Sequence, residues 1–270
     1  MVRRLVVGWD GSQAAAGALQ WAVRHRPEAE RVEIVAVQGG RRRNAGRELD
    51  PVEAAAAVEA AHPPIEAVVL RETGDVARVL AARSAPDALV VLGGRGHEET
   101  RLGHRSSTAY RVVLAADGPV AVVPQSYVGG HDVVVGVTSR SEAACVVLTA
   151  AGEAARRHQK LVAVHVARPL YGLGALPGDS AEHAREVRGA EEMLHDALAP
   201  VREAYPKLPI VARVPRGRPA DVLLVESRNA LLLVLGRDTA PPSNGRPVTH
   251  SSMLLSRAPV MTIPPNAEIA

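Results

Sequence analysis

The stretch GDVARVLAARSAPDALVVLG, residues 74–93, decides the fold because it returns as GRPADVLLVESRNALLLVLG, residues 217–236. In each copy 19 positions separate the first glycine from the last, and the second copy lies 143 residues beyond the first. Spacing held over that length marks a duplicated structural unit. Outward from this segment, Val133-Val134-Val135-Gly136 repeats Leu5-Val6-Val7-Gly8 at an offset of 128, and residues 260–264 repeat 120–124 at an offset of 140. The changing offset implies 15 extra residues early in the second half and three fewer near its end. The Pro- and Gly-rich stretch 168–180 fits the insertion, and residues 125–130 read as a linker. The chain divides into repeats at 1–127 and 128–270.

Within the first repeat, strand signals at residues 5–8, 32–37, 65–70, 88–93 and 120–124 alternate with helical patterns. In the first of these Ala15, Leu19, Ala22 and Val23 share one face, behind Ser12 as N-cap. Such alternation predicts an α/β fold, a parallel sheet covered by helices on both sides. The composition agrees: 47% of residues are hydrophobic but only 2% aromatic, so Val, Leu, Ile and Ala must fill the core. Units of this kind commonly pair about a two-fold axis, and fusion makes the pairing intramolecular. The last strand of each half is the expected contact; a further homodimer of the whole chain is compatible with this.

The same composition removes several function classes. The formal net charge is only +3, and the basic residues are scattered among acids without interleaved aromatics, which argues against nucleic acid as a partner. The dense run Arg41-Arg42-Arg43 reads as a solvated turn. A lone Cys145 excludes an intramolecular disulfide framework. The apolar run behind Met1-Val2-Arg3-Arg4 stops at Asp10, too short for a signal-peptide core. No stretch approaches the ~20 apolar residues of a membrane span, so no membrane role and a cytoplasmic location are expected.

In an open parallel sheet, ligands bind beyond the carboxyl ends of the strands, where the winding reverses. Two loops stand out there: Gly8-Trp9-Asp10-Gly11-Ser12 after the first strand, and Gly93-Gly94-Arg95-Gly96-His97 after the fourth. The second continues to Ser106-Ser107-Thr108 ahead of a helix. Glycines let the backbone approach a ligand and free its amides for an anion, and a hydroxyl-rich helix tip favours phosphate. Asp10 is suited to accept hydrogen bonds from a ribose or an amino group, or to neighbour a cation. Taken singly, each feature is also an ordinary turn or cap; their joint placement is what points to a nucleotide.

These residues resemble the universal stress protein family, over nearly the whole chain as two copies. Its ATP-binding members carry an early Asp after the first strand and a Gly-x2-Gly-x9-Gly-Ser/Thr motif after the fourth. Here Gly93 and Gly96 are followed by nine residues and then Ser106-Ser107, with Ser106 where the family has glycine. The resemblance implies two tandem open five-stranded sandwiches of strand order 3-2-1-4-5, an adenine-nucleotide-binding HUP-like fold. It also implies a site in which Val37 lines adenine, and Gly8, Trp9 and Asp10 border adenine and ribose. Gly93, Arg95, Gly96, Ser106, Ser107 and Thr108 would hold ribose and phosphates, with ATP and its Mg2+ counter-ion as the implied ligand. Trp9 has an equally good alternative in packing over the strand ends.

The second half departs from this pattern. Thr138 stands at the place of Asp10, Thr239 at that of the second motif glycine, and Arg246-Pro247 where Gly-Ser would fall. Proline has no N–H to offer a phosphate. ATP binding is therefore expected in the first repeat and not in the second.

Other chemistry finds little support. No histidine pair near the glycine loop, including His97 and His104, has the i, i+4 spacing of a metal helix, and His165 and His250 read as structural. There is no Gly-x-Ser-x-Gly elbow and no P-loop. The leading expectation is a non-enzymatic regulatory module whose ATP alters a surface read by a protein partner. Behind it stand a nucleotide-independent interaction module and, on fold analogy alone, a slow ATPase.

Overall fold

Among the described residues, runs of Val, Leu and Ile too short to make helices build ten strands, and the strands join into one sheet. The computed structural model describes residues 2–38, 49–94, 107–138, 140–167, 180–237 and 248–265. Arg95, Gly96 and Ser106 lie outside them, as do Arg41 to Arg43, His97, His104 and all but the last residue of the 168–180 stretch.

The first repeat runs β1 (Arg4–Trp9), α1 (Gln13–His25), β2 (Arg31–Gln38), α2 (Pro51–Ala61), β3 (Glu66–Thr73), α3 (Val76–Ala81), β4 (Ala88–Gly94), α4 (Thr108–Ala115) and β5 (Val120–Pro124). The second runs β6 (His131–Gly136), α5 (Arg140–Arg156), β7 (Leu161–Val164), α6 (Ser180–Ala197), α7 (Ala199–Ala204), β8 (Ile210–Arg213), α8 (Pro219–Glu226), β9 (Ala230–Gly236), α9 (Val248–Leu255) and β10 (Val260–Ile263). The strand order is β3-β2-β1-β4-β5-β10-β9-β6-β7-β8. Each half is the parallel 3-2-1-4-5 arrangement. The halves meet where β5 pairs antiparallel with β10, Val122 opposite Val260 and Val120 opposite Thr262, so the last strands are the contact.

Two element readings change. The third strand begins one residue later than its apolar signal: Ile65, 1% exposed, packs just ahead of β3. The extra length of the second half is not confined to a Pro/Gly loop. Between β7 and β8 stand α6, of 18 residues, and α7, of 6, where the described residues of the first repeat hold the 11-residue α2. Proline and glycine located the break in the pattern, but the added length continues as helix.

Strand alternation sends side chains to two opposite core layers. Leu5, Val7 and Trp9 face the layer covered by α1 and α2, and by α5, α6 and α7 in the second half. Val6, Val90 and Leu92 face the layer covered by α3, α4, α8 and α9. Both layers continue across the β5–β10 seam, so the repeats share their cores. Polar ties reinforce it. Thr262 Oγ1 donates to the Val120 carbonyl at 3.3 Å, and the Tyr127 hydroxyl to that of Leu231 at 3.2 Å. Buried Arg26 at the end of α1 forms a two-pronged ion pair with fully buried Glu153 of α5.

Candidate functional site

The sheet register brings together the described starts of the two unusual loops, at the ends of β1 and β4. β1 lies between β2 and β4, with Val7 opposite Val91 and Trp9 opposite Ala36. Gly8, Trp9 and Asp10 therefore leave the sheet beside Leu92, Gly93 and Gly94, with Val37 on the other flank. Because α1 and α4 follow β1 and β4, their amino ends face the same edge, one on each side of the sheet.

Gly93 is the pivot of this edge. A Cβ there would lie 2.5 Å from the Ala14 carbonyl carbon and oxygen and 2.8 Å from the Ala15 nitrogen. The first turn of α1 thus rests directly on the end of β4, a contact that only glycine permits. Asp10 is exposed, and its Oδ1 accepts from the Ser12 amide at 3.1 Å, turning the chain into the helix through Gly11 at φ 75°. Ser12 then caps α1, its hydroxyl accepting from the Ala15 amide at 3.1 Å.

Across the edge, Ser107 caps α4 by accepting from the Tyr110 amide at 3.4 Å. The amides of Thr108 and Ala109 stand in the first turn, ahead of the bond from the Arg111 amide to the Ser107 carbonyl. Thr108 is exposed, so this tip and its positive dipole end are open. Val37 is half-buried against the α3–α4 core layer, an apolar wall beside the polar edge.

Two of the expected residues have packing reasons of their own. Trp9 is 7% exposed, and its indole nitrogen donates to the Leu49 carbonyl at 3.1 Å, pinning the start of the chain into α2 beside Gly11. The face of Gly8 is filled by Leu92 Cδ2, 2.7 Å from where its Cβ would stand, and by Leu80 Cδ1 at 3.1 Å.

A pair that sequence reasoning did not single out stiffens the site. Asp75 caps α3 by accepting from the Arg78 amide at 3.0 Å, and Arg111 of α4 donates to both of its carboxylate oxygens at 3.0 and 2.9 Å. The Arg78 amide first, then Arg111, hold the Asp75 carboxyl below its ordinary pKa. The signal was present in Gly74-Asp75, which sequence reasoning used only for its spacing.

The equivalent edge of the second repeat is built differently. Thr138 replaces the acid. Among the described residues, a Cβ on Gly236 would meet Val146 Cγ2, at 3.4 Å. Arg237 replaces Gly94, and the Thr249 hydroxyl of α9 donates to the Gly236 carbonyl at 3.3 Å. Thr249 is 1% exposed, and Val248, at the place of exposed Thr108, is half-buried. His165 sits against the Val137 carbonyl at 2.8 Å, a structural role. Among the described residues no group of three His, Cys, Asp or Glu is placed to hold a metal, and no helix is long and apolar enough to cross a membrane.

Comparison with known proteins gives one answer. The universal stress protein family model matches residues 1–124 and again 131–261. A universal stress protein of Mycolicibacterium smegmatis is 32% identical over 165 residues, 60% of this chain and 55% of that protein, so the match spans about half of that relative's length. One from Mycobacterium tuberculosis is 29% identical over 268 residues, 86% of this chain and 84% of the relative. Among solved structures, a universal stress protein from Archaeoglobus fulgidus superposes over 98% of this chain and 100% of its own with a TM-score of 0.63 at 16% identity. A putative one from Pseudomonas aeruginosa covers 97% of this chain and 93% of its own, with a TM-score of 0.64 at 11% identity. With two family matches over a duplicated 3-2-1-4-5 sheet, the chain belongs to the universal stress protein family, in its tandem form.

Proposed function

We propose that the first repeat binds an adenine nucleotide, ATP with Mg2+, at the edge between Asp10, Gly93 and the tip of α4, and that the chain acts in the cytoplasm as a nucleotide-responsive regulatory module. The observation that carries this is the open tip of α4, with Ser107 already spent on Tyr110 and Thr108 exposed. Its leading amides face the edge from which Asp10 projects, so a phosphate and a ribose or cation have opposite partners. Val37 offers an apolar wall for the base. In the second repeat Thr249 already engages the carbonyl at the end of β9, which supports a nucleotide-free half. Leu114, Val225 and Leu255, 52%, 74% and 41% exposed on α4, α8 and α9, lie on helices of one side of the sheet and favour a protein partner there, whether or not a nucleotide is bound.

Calorimetry of the full chain with ATP tests the reading, and Thr108→Glu sharpens it. An acid in the first turn suits the helix dipole, so the melting temperature should hold or rise. The same carboxylate repels a phosphate, so ATP affinity should fall about tenfold or more, ~1.4 kcal/mol. One ATP per chain is expected. No adenine-nucleotide binding at millimolar concentration would sink the proposal.

A further inference from the structure

We infer that Arg237 and His250, both in the second repeat, are positioning residues for the nucleotide tip of α4 in the first; the inference rests on the nucleotide reading above. Helix α4 is short, eight residues, and buries only Val112 and Val113. Arg111 ties its middle to Asp75 of α3, and the second repeat grips both of its ends.

At the amino end the ring of Tyr110 meets that of His250 edge to face, centroids 4.5 Å apart at 64°. Tyr110 is the residue whose amide Ser107 caps, so this contact lies within one turn of the proposed phosphate tip. The two residues are equivalents, 140 positions apart, and the contact sits on the pseudo-two-fold axis. At the carboxyl end Arg237 donates Nη1 to the Ala116 carbonyl and Nη2 to that of Gly118 at 3.4 Å. Ala116 is the C-cap of α4. Arg237 is itself fixed, its amide donating to the Ile263 carbonyl at 2.9 Å. A cation there also suits the negative end of the helix dipole.

The tie runs in one direction. Arg237 stands at the place of Gly94, which has no side chain to reach across in return. The turn that it grips, at Ala116, is matched in the second repeat by Ser256, which closes its own turn. The Ser256 hydroxyl donates to the Ala258 carbonyl at 2.8 Å and accepts from the Ala258 amide at 3.1 Å. The degenerate half has thus lost a loop glycine and gained a strut onto the helix that carries the site of the other half.

The test uses the full chain, comparing ATP affinity by calorimetry with melting temperature and with amide exchange of residues 111–115. Arg237→Gly restores the first-repeat residue, and should weaken ATP about five- to tenfold and speed exchange in α4. Arg237→Lys should recover part of both, because an ammonium can reach one of the carbonyls. His250→Ala should act in the same direction. Tyr127→Phe removes an inter-repeat hydrogen bond away from α4, and should lower the melting temperature with ATP affinity unchanged. Arg237→Gly leaving affinity within about twofold and α4 exchange unchanged, with only the melting temperature lowered, would overturn the positioning role. A wild-type chain that binds no ATP, yet shows faster α4 exchange on Arg237→Gly, would overturn the nucleotide reading and leave the strut standing.

Discussion

Gly93 lies under the backbone of α1, with Ala14 atoms 2.5 Å from where a methyl would stand. Gly93→Ala should therefore cost about 1–3 kcal/mol, because backbone cannot yield as a side chain can; the urea midpoint of the variant reads the loss, and an unchanged midpoint would contradict it. Much of this edge was legible in the sequence, since Asp10 and Gly93 lie at the ends of neighbouring strands and Ser107 and Thr108 at the amino end of the helix that follows β4. The packing role of Gly8 was legible only by comparison. Gly136 is retained in the half that lost the acid and the motif, and its face is filled by Leu235 and Leu223 as that of Gly8 is by Leu92 and Leu80. A glycine kept in both halves points to packing rather than to a ligand. The indole bond of Trp9 to Leu49 joins residues 40 apart, and no local pattern encodes it.

At the scale of elements, the duplication works as an internal control on helix capping. Asp75 caps α3, whereas its equivalent Arg218 opens α8 in the same extended conformation, φ −76° and ψ 126°, with no side-chain cap bond. Arg218 is exposed, and Pro219 already starts the helix. Arg218→Asp should place a carboxylate on an unsatisfied amide and stabilise the chain by about 0.5–2 kcal/mol, read as a higher urea midpoint. An unchanged midpoint would mean that the turn after β8 cannot adopt the geometry of its partner. The strands were readable because apolar runs alternate with helical patterns and three of them recur in the second half, two ending in glycine. The helical insertion was not. Among the described side chains of Ser180–Ala197 only Leu194 and Ala197 are buried, so the apolar stripe is narrow, and its length is announced by no repeat.

Across the whole molecule, the repeats are locked by charge as well as by a shared sheet, and that lock sets an acid limit. Burial pushes the Glu153 carboxyl up, but Arg26, then Arg157 and Arg156, outweigh it and hold its pKa at about 2. Beside it His25 stacks on Trp21, centroids 4.0 Å apart. Burial first, then the charge of Arg157, lowers the pKa of His25 to about 3 from 6.5. Both shifts act in the same direction. Below pH 6.5 the unfolded chain protonates His25 while the folded chain does not, so stability falls with pH; below 4.5 Glu153 adds a second proton to the unfolded side. Each proton contributes a slope of up to ~1.4 kcal/mol per pH unit. His25→Phe keeps a ring on Trp21 and leaves the residue 25 carbonyl that Arg26 and Arg157 share. It should flatten the stability curve between pH 6.5 and 4.5 and leave the steeper loss below 4.5 to Glu153. Urea midpoints collected from about pH 7.5 down to about pH 4 give both curves. Parallel curves for wild type and variant would mean that His25 takes up its proton in the folded seam, and that the seam tolerates a further positive charge beside Arg26 and Arg157.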